Sequence, residues 1–139
     1  MKKSLSALAI ALLVVVASCK KPEGEGGNST IKGKIWVENY NTLNNMADNY
    51  ILKAEFVGAD EDVYLIYGDD VSYGKKTKSG PDGIFEFKYM RPGDYKIYVQ
   101  SKDTARTSYF YGSGSKTVDV SVSLKKKETL DAGTLTIYK

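Results

Sequence analysis

Histidine is absent from all 139 residues. That removes the commonest general base, the usual serine triad and every imidazole metal site. Cysteine occurs once, at Cys19, so no internal disulfide can form and the fold must be held by burial alone. Neither sign of charge is in excess: 20 basic against 17 acidic residues give a formal charge of +3. A nucleic-acid partner, which calls for a basic patch or stripe, therefore has no support. Long apolar runs are also missing. The one that exists, Leu5 to Val16, is interrupted only by Ser6 and falls short of the about 20 residues that span a bilayer. No segment carries a helical 3.6-residue stripe.

What is present starts at the N-terminus. Lys2 and Lys3 form a short positive region, the apolar run follows, and the small residues Ala17 and Ser18 lead into Cys19. Charge, short apolar core and small-residue cleavage site together read as a secretory signal. Val16-Ala17-Ser18-Cys19 also resembles a bacterial lipobox, which implies cleavage before Cys19 and attachment of diacylglyceride to its thiol. An ordinary signal peptide with an incidental cysteine is the alternative. One acyl chain anchors weakly and two or more anchor firmly, so a mature lipoprotein is expected to stay on the membrane. Residues 1–18 are then signal peptide, and removing Lys2 and Lys3 leaves 18 basic against 17 acidic residues.

Residues 19–29 read as a lipidated flexible tether. Its KKPEGEGGNS stretch has no bulky apolar residue, and such composition does not repay the entropy of ordering. Glu23 and Glu25 loosely resemble the acidic signal that sends Bacteroidetes lipoproteins to the cell surface. The expected address is the outer membrane, at the cell surface or otherwise facing the periplasm.

Residues 30–139 read as one domain. Ile31, Gly33, Ile35 and Val37 alternate with Lys32, Lys34, Trp36 and Glu38, the period-two pattern of a half-buried strand. The same pattern recurs at Leu52, Ala54 and Phe56; at Val63, Leu65 and Tyr67; at Phe85, Phe87 and Tyr89; at Tyr95, Ile97 and Val99; at Val118 to Leu124; and at Leu135 and Ile137. Turn residues separate the runs, notably Pro81-Asp82-Gly83 and Arg91-Pro92-Gly93-Asp94, where proline fixes φ and glycine takes φ > 0. Tyr95, just after such a turn, suits a corner position with a buried ring and a hydroxyl bonded to nearby backbone. Asn39 to Asn49 reads as a long loop. The whole predicts an all-β, antiparallel β-sandwich of seven or eight strands.

The stretch VYLIYGDD…SGPDGIFEFKYMRPGDYKIYVQSKD resembles the carboxypeptidase regulatory-like or transthyretin-like (prealbumin-like) superfamily. Asp82, Gly83, Phe85 and Phe87 match one part of its pattern; Pro92, Gly93 and Tyr95 match the other. IKGKIWV resembles that superfamily's first strand, and the likeness spans most of residues 31–138. It implies fold rather than activity, because these are turn and core positions. The enzymatic branch, the 5-hydroxyisourate hydrolases, needs histidines and a C-terminal Tyr-Arg-Gly-Ser, whereas this chain closes on TIYK. The arrangement, leader included, is similar to small single-domain lipoproteins of Bacteroidetes.

Two groups of residues could carry function. Asp60, Glu61 and Asp62 with Asp69 and Asp70 flank one strand. They read as solvated loop charge; paired-carboxylate hydrolysis or calcium, which takes six to eight oxygen ligands, are the alternatives. The spacing matches no EF-hand loop. Aromatics are the second group: eleven tyrosines and one tryptophan, with Trp36, Tyr64 and Tyr98 on the polar phase of their strands and Tyr109-Phe110-Tyr111 among Ser, Thr and Gly. Exposed aromatics can stack on sugars or anchor protein partners, while sheets also favour them for cross-strand packing. The expectation is a non-enzymatic, membrane-anchored accessory module of an envelope complex, with a protein partner and no cofactor. The alternative is a glycan-binding module that uses Trp36, Tyr109, Phe110 and Tyr111 on a polysaccharide.

Overall fold

A computed structural model describes residues 22–42, 50–102 and 115–139. Cys19, Tyr109, Phe110 and Tyr111 lie outside the described residues, as does most of the Asn39–Asn49 loop. Eight strands follow one another: β1 (Glu25–Thr42), β2 (Tyr50–Val57), β3 (Asp62–Tyr67), β4 (Tyr73–Lys78), β5 (Ile84–Met90), β6 (Gly93–Lys102), β7 (Ser115–Leu124) and β8 (Thr129–Tyr138). They form two four-stranded sheets packed as a sandwich. In sheet A, β1 pairs with β5 through its first half, with β2 through its second, and with β8 along its other edge. Sheet B runs β4-β3-β6-β7. Every pairing is antiparallel except β1 with β8, which is parallel, so the all-β sandwich holds while sheet A is mixed.

The core is the inward phase of both sheets. Ile31, Ile35, Val37, Phe85, Phe87, Leu135 and Ile137 from sheet A meet Val63, Leu65, Tyr95, Ile97, Val99 and Leu124 from sheet B, all buried. Gly33 belongs to this phase because the Phe85 ring lies where its side chain would point, 2.5 Å from an added Cβ. The Pro81 turn closes with Gly83 N–H donating to the Gly80 carbonyl at 2.9 Å, and Gly83 takes φ 77°.

Four expectations are corrected. β1 starts at Glu25 and not at Thr30: it reaches back through the glycine-rich stretch, and Ser29 within it is buried. Strand pairing uses backbone groups, so a segment without apolar side chains still joins a ladder when a partner edge is free. Tyr89 does not follow Phe85 and Phe87 inward. It takes φ 61° and is 70 % exposed, while Met90 is buried in its place. Opposite that kink Glu25 and Ser29 both face Met90, an excursion of β1 that shifts the register. Finally, Asn39 to Thr42, read as the start of a long loop, continue β1, while β4, a strand in the stretch YGKKTK, is one that no apolar alternation announces. It is an edge strand bearing Lys75, Lys76 and Lys78, and lysines on an edge discourage further pairing.

Candidate functional site

The outer face of sheet B carries the most developed arrangement of side chains. Val63 and Leu65 point into the core, so period two turns Tyr64 outward; Ile97 and Val99 do the same for Tyr98. Tyr64 pairs with Tyr98 across β3 and β6, with Lys76 across β3 and β4, and Tyr98 pairs with Asp119 on β7. One row therefore crosses the sheet: Lys76, Tyr64, Tyr98, Asp119. The Tyr64 and Tyr98 rings are stacked, 4.9 Å between centroids and 11° between planes. Tyr73 meets Tyr64 edge-on at 5.0 Å and 63° and is half-exposed.

Charge frames the rings. Lys76 Nζ sits 5.3 Å from the Tyr64 centroid and 2.8 Å from Asp62 Oδ2. Its hydrogen bond holds the Asp62 carboxyl below its ordinary range, and the same contact raises Lys76. Burial, then the neighbouring Tyr64 and Tyr73, push the Tyr98 hydroxyl above the usual phenol range. The 4.9 Å ring separation equals the spacing between strands. With Tyr64 against one side of Tyr98, the other side is turned toward β7, whose outward residues are Thr117, Asp119 and Ser121, all exposed. A ring beside a floor of short hydroxyl and carboxylate groups offers an apolar surface and hydrogen-bonding partners together.

No family model and no curated protein matches this sequence. Among solved structures, a candidate carbohydrate binding protein from Pseudomonas aeruginosa overlaps 87 % of this chain and 93 % of its own, with a TM-score of 0.48 and 14 % identity. A likeness of that degree transfers neither ligand nor site to this chain.

Trp36 lies on the outer face of the other sheet, half-buried, between Val57 of β2 and Thr136 of β8. The Lys34 ammonium is 5.5 Å from its ring. It is thus on the opposite side of the sandwich from the tyrosine row. The carboxylates do not converge either. Asp60 and Asp62 sit at the start of β3 and Asp69 and Asp70 beyond its end, about 20 Å apart for six residues of strand. Asp60 pairs with Lys78 at 2.9 Å, and Asp69 and Asp70 are exposed. Among the described residues no three acidic side chains gather where a metal could be held.

The tyrosine row was half visible in the sequence. Tyr64 and Tyr98 both fall on the outward phase, but nothing in the alternation says that β3 pairs with β6. Tyr73 belongs to the strand that the pattern does not reveal.

Proposed function

We propose that this protein is a lipid-anchored, non-enzymatic binding module of the bacterial outer membrane, held through Cys19, and that it takes a saccharide on the outer face of sheet B. The reading includes a sandwich of the carboxypeptidase regulatory-like or transthyretin-like kind. The observation that carries the ligand class is the Tyr73–Tyr64–Tyr98 cluster, with Asp62, Lys76 and Asp119 in hydrogen-bonding positions around it. Cross-strand stacking stabilises a sheet by about 0.2–1 kcal/mol, which accounts for Tyr64 against Tyr98. The same packing seats Tyr73 against Tyr64, and it leaves the Tyr73 ring half-exposed on the edge strand, where a ligand can reach it.

The test is calorimetric titration of the folded protein with a panel of neutral and acidic polysaccharides. Tyr98→Ala and Tyr73→Ala are expected to lower affinity for a bound glycan at least tenfold, about 1.4 kcal/mol, while Trp36→Phe leaves it unchanged. Equal binding by all three variants, or no binding across the panel, sinks the reading.

A second reading, an envelope protein as partner, is favoured by the far end of sheet A. The inward phase continues from Val37 to its β2 neighbour Phe56, yet Phe56 is 43 % and Leu52 42 % exposed. Crosslinking in the native membrane followed by mass spectrometry checks it: a reproducible stoichiometric partner joined through β2 supports it, and recovery of the protein alone removes it.

A further inference from the structure

The end of the sandwich where the chain emerges from its anchor is tied down in detail. Gly24 N–H donates to the Tyr95 hydroxyl at 2.9 Å, and Arg91 N–H donates to the Gly24 carbonyl at 2.8 Å. The Tyr95 hydroxyl donates in turn to the Arg91 carbonyl at 2.7 Å, and the Arg91 guanidinium donates to the Pro22 carbonyl at 3.2 Å. Four residue steps separate Cys19 from Glu23, a reach of at most about 14 Å. Lipid attached at Cys19 therefore holds this end of the domain close to the bilayer, where an eleven-residue free tether would have let it drift.

The β7–β8 turn lies at the same end. Ser29 Oγ donates to the Lys125 carbonyl at 2.7 Å and accepts from Glu128 N–H at 3.3 Å. The Glu128 carboxylate accepts from Lys125 N–H at 2.6 Å, which occupies that acid inside the turn. Lys125, Lys126 and Lys127 are left exposed. Because Glu25 and Ser29 both face Met90 and Ser29 bonds Lys125, the lysine turn and the exit of the chain are within about three strand spacings, on the order of 15 Å. The acidic residues of this end cluster elsewhere on it. Glu23 lies against Gly68 and Gly93, Gly68 N–H bonds the Asp94 carbonyl, and Asp69 and Asp70 follow in the β3–β4 turn. The β3–β4 side of the end thus presents Asp69 and Asp70, with Lys75 beside them paired to Glu25, and the β7–β8 side presents the three exposed lysines.

We propose that this end docks on anionic phospholipid headgroups through Lys125, Lys126 and Lys127. The proposal rests on the lipid anchor at Cys19. A charged surface attracts the lysine turn and repels the β3–β4 turn; these forces fall off over the roughly 8 Å screening length at physiological salt, and the short anchor lets this end of the domain approach that closely. The domain is then held with the β7–β8 turn down and the β3–β4 turn raised, which lifts Tyr73, just beyond that turn, away from the headgroups.

The experiment uses the full acylated protein in three settings: vesicles of phosphatidylethanolamine with phosphatidylglycerol at about three to one, vesicles of phosphatidylcholine, and detergent. An amine-reactive label is read residue by residue, with exposed Lys53 and Lys102 as references. Labelling of Lys125, Lys126 and Lys127 relative to the references is expected to fall roughly fivefold or more in the anionic vesicles and to recover in high salt. It should stay at the detergent level in phosphatidylcholine. Equal labelling in all three settings overturns the docking surface, and equal protection in both vesicle types overturns recognition by charge. Intact mass separates this from the anchor: protein without acyl chains removes the anchor and the docking proposal together, whereas acylated protein with uniform labelling removes the docking proposal alone.

Discussion

The two ends of this sandwich received similar alternating sequences and met different fates. At the end that holds Pro22 to Glu25, Ile31 is fully buried and the backbone beside it is closed by the Tyr95, Arg91 and Ser29 bonds. At the far end, Leu52 and Phe56 keep the alternation but remain more than two-fifths exposed. Alternation states which residues share a face. It does not state whether a second sheet lies opposite that face, and burial needs both.

Core substitutions break the comparison hardest. Phe87→Ala is expected to cost about 3–5 kcal/mol, and Phe56→Ala about 1 kcal/mol or less, since partly exposed positions contribute little. Urea unfolding of both measures the gap; equal losses would mean that β2 is covered after all. Next comes the corner. Tyr95→Phe keeps the ring but leaves the buried Gly24 N–H without its acceptor, at a cost of about 1–3 kcal/mol, read in the same melts.

The pH dependence sharpens the same contrast. Burial raises the phenol of Tyr95 above its ordinary value of 10.0, and burial with the nearby Glu25 does so for Tyr67. Folding therefore favours the protonated phenols. Their contribution is complete below about pH 10 and is lost as pH rises through the folded values. Alkaline melts should show this loss, and Tyr95→Phe should show less of it. The smallest effect is at the acid end. Asp62 is held below its ordinary value by Lys76, so its contribution is present above that ordinary value and disappears as pH falls through the folded one. Lys76→Gln should flatten that acid slope without shifting the neutral melting temperature by more than a degree or two, as surface substitutions generally do.

Much of the fold was legible because it depends on period two and on turns. Seven of the strands, the Gly83 reversal and the Tyr95 corner follow from side-chain type at fixed offsets. What stayed hidden depends on backbone. The first five residues of β1 carry glycines and polar groups, and only the structure explains Gly27, where an added Cβ would run into the Met90 carbonyl. The change of phase at Tyr89 is a single positive φ, invisible in a tyrosine. The candidate site was hidden for a third reason. Tyr64 and Tyr98 are 34 positions apart, and their stacking is a property of strand order rather than of either strand. Trp36, conspicuous as the only tryptophan, proved to sit on the other sheet.

The parallel partnership of β1 and β8 sets the order of events in folding. Ile35 and Val37 of the first strand lie beside Leu135 and Ile137 of the last, so neither sheet A nor the core it caps is complete until the final strand is available. Contacts so distant along the chain slow folding, because the intervening chain must be ordered before they reward it. A chain made from its N-terminus can pair β1 with β2 and β5 early, but one edge of that central strand stays open until the last residues arrive. Late closure is therefore built into the strand order: the domain locks only once its last strand is in place.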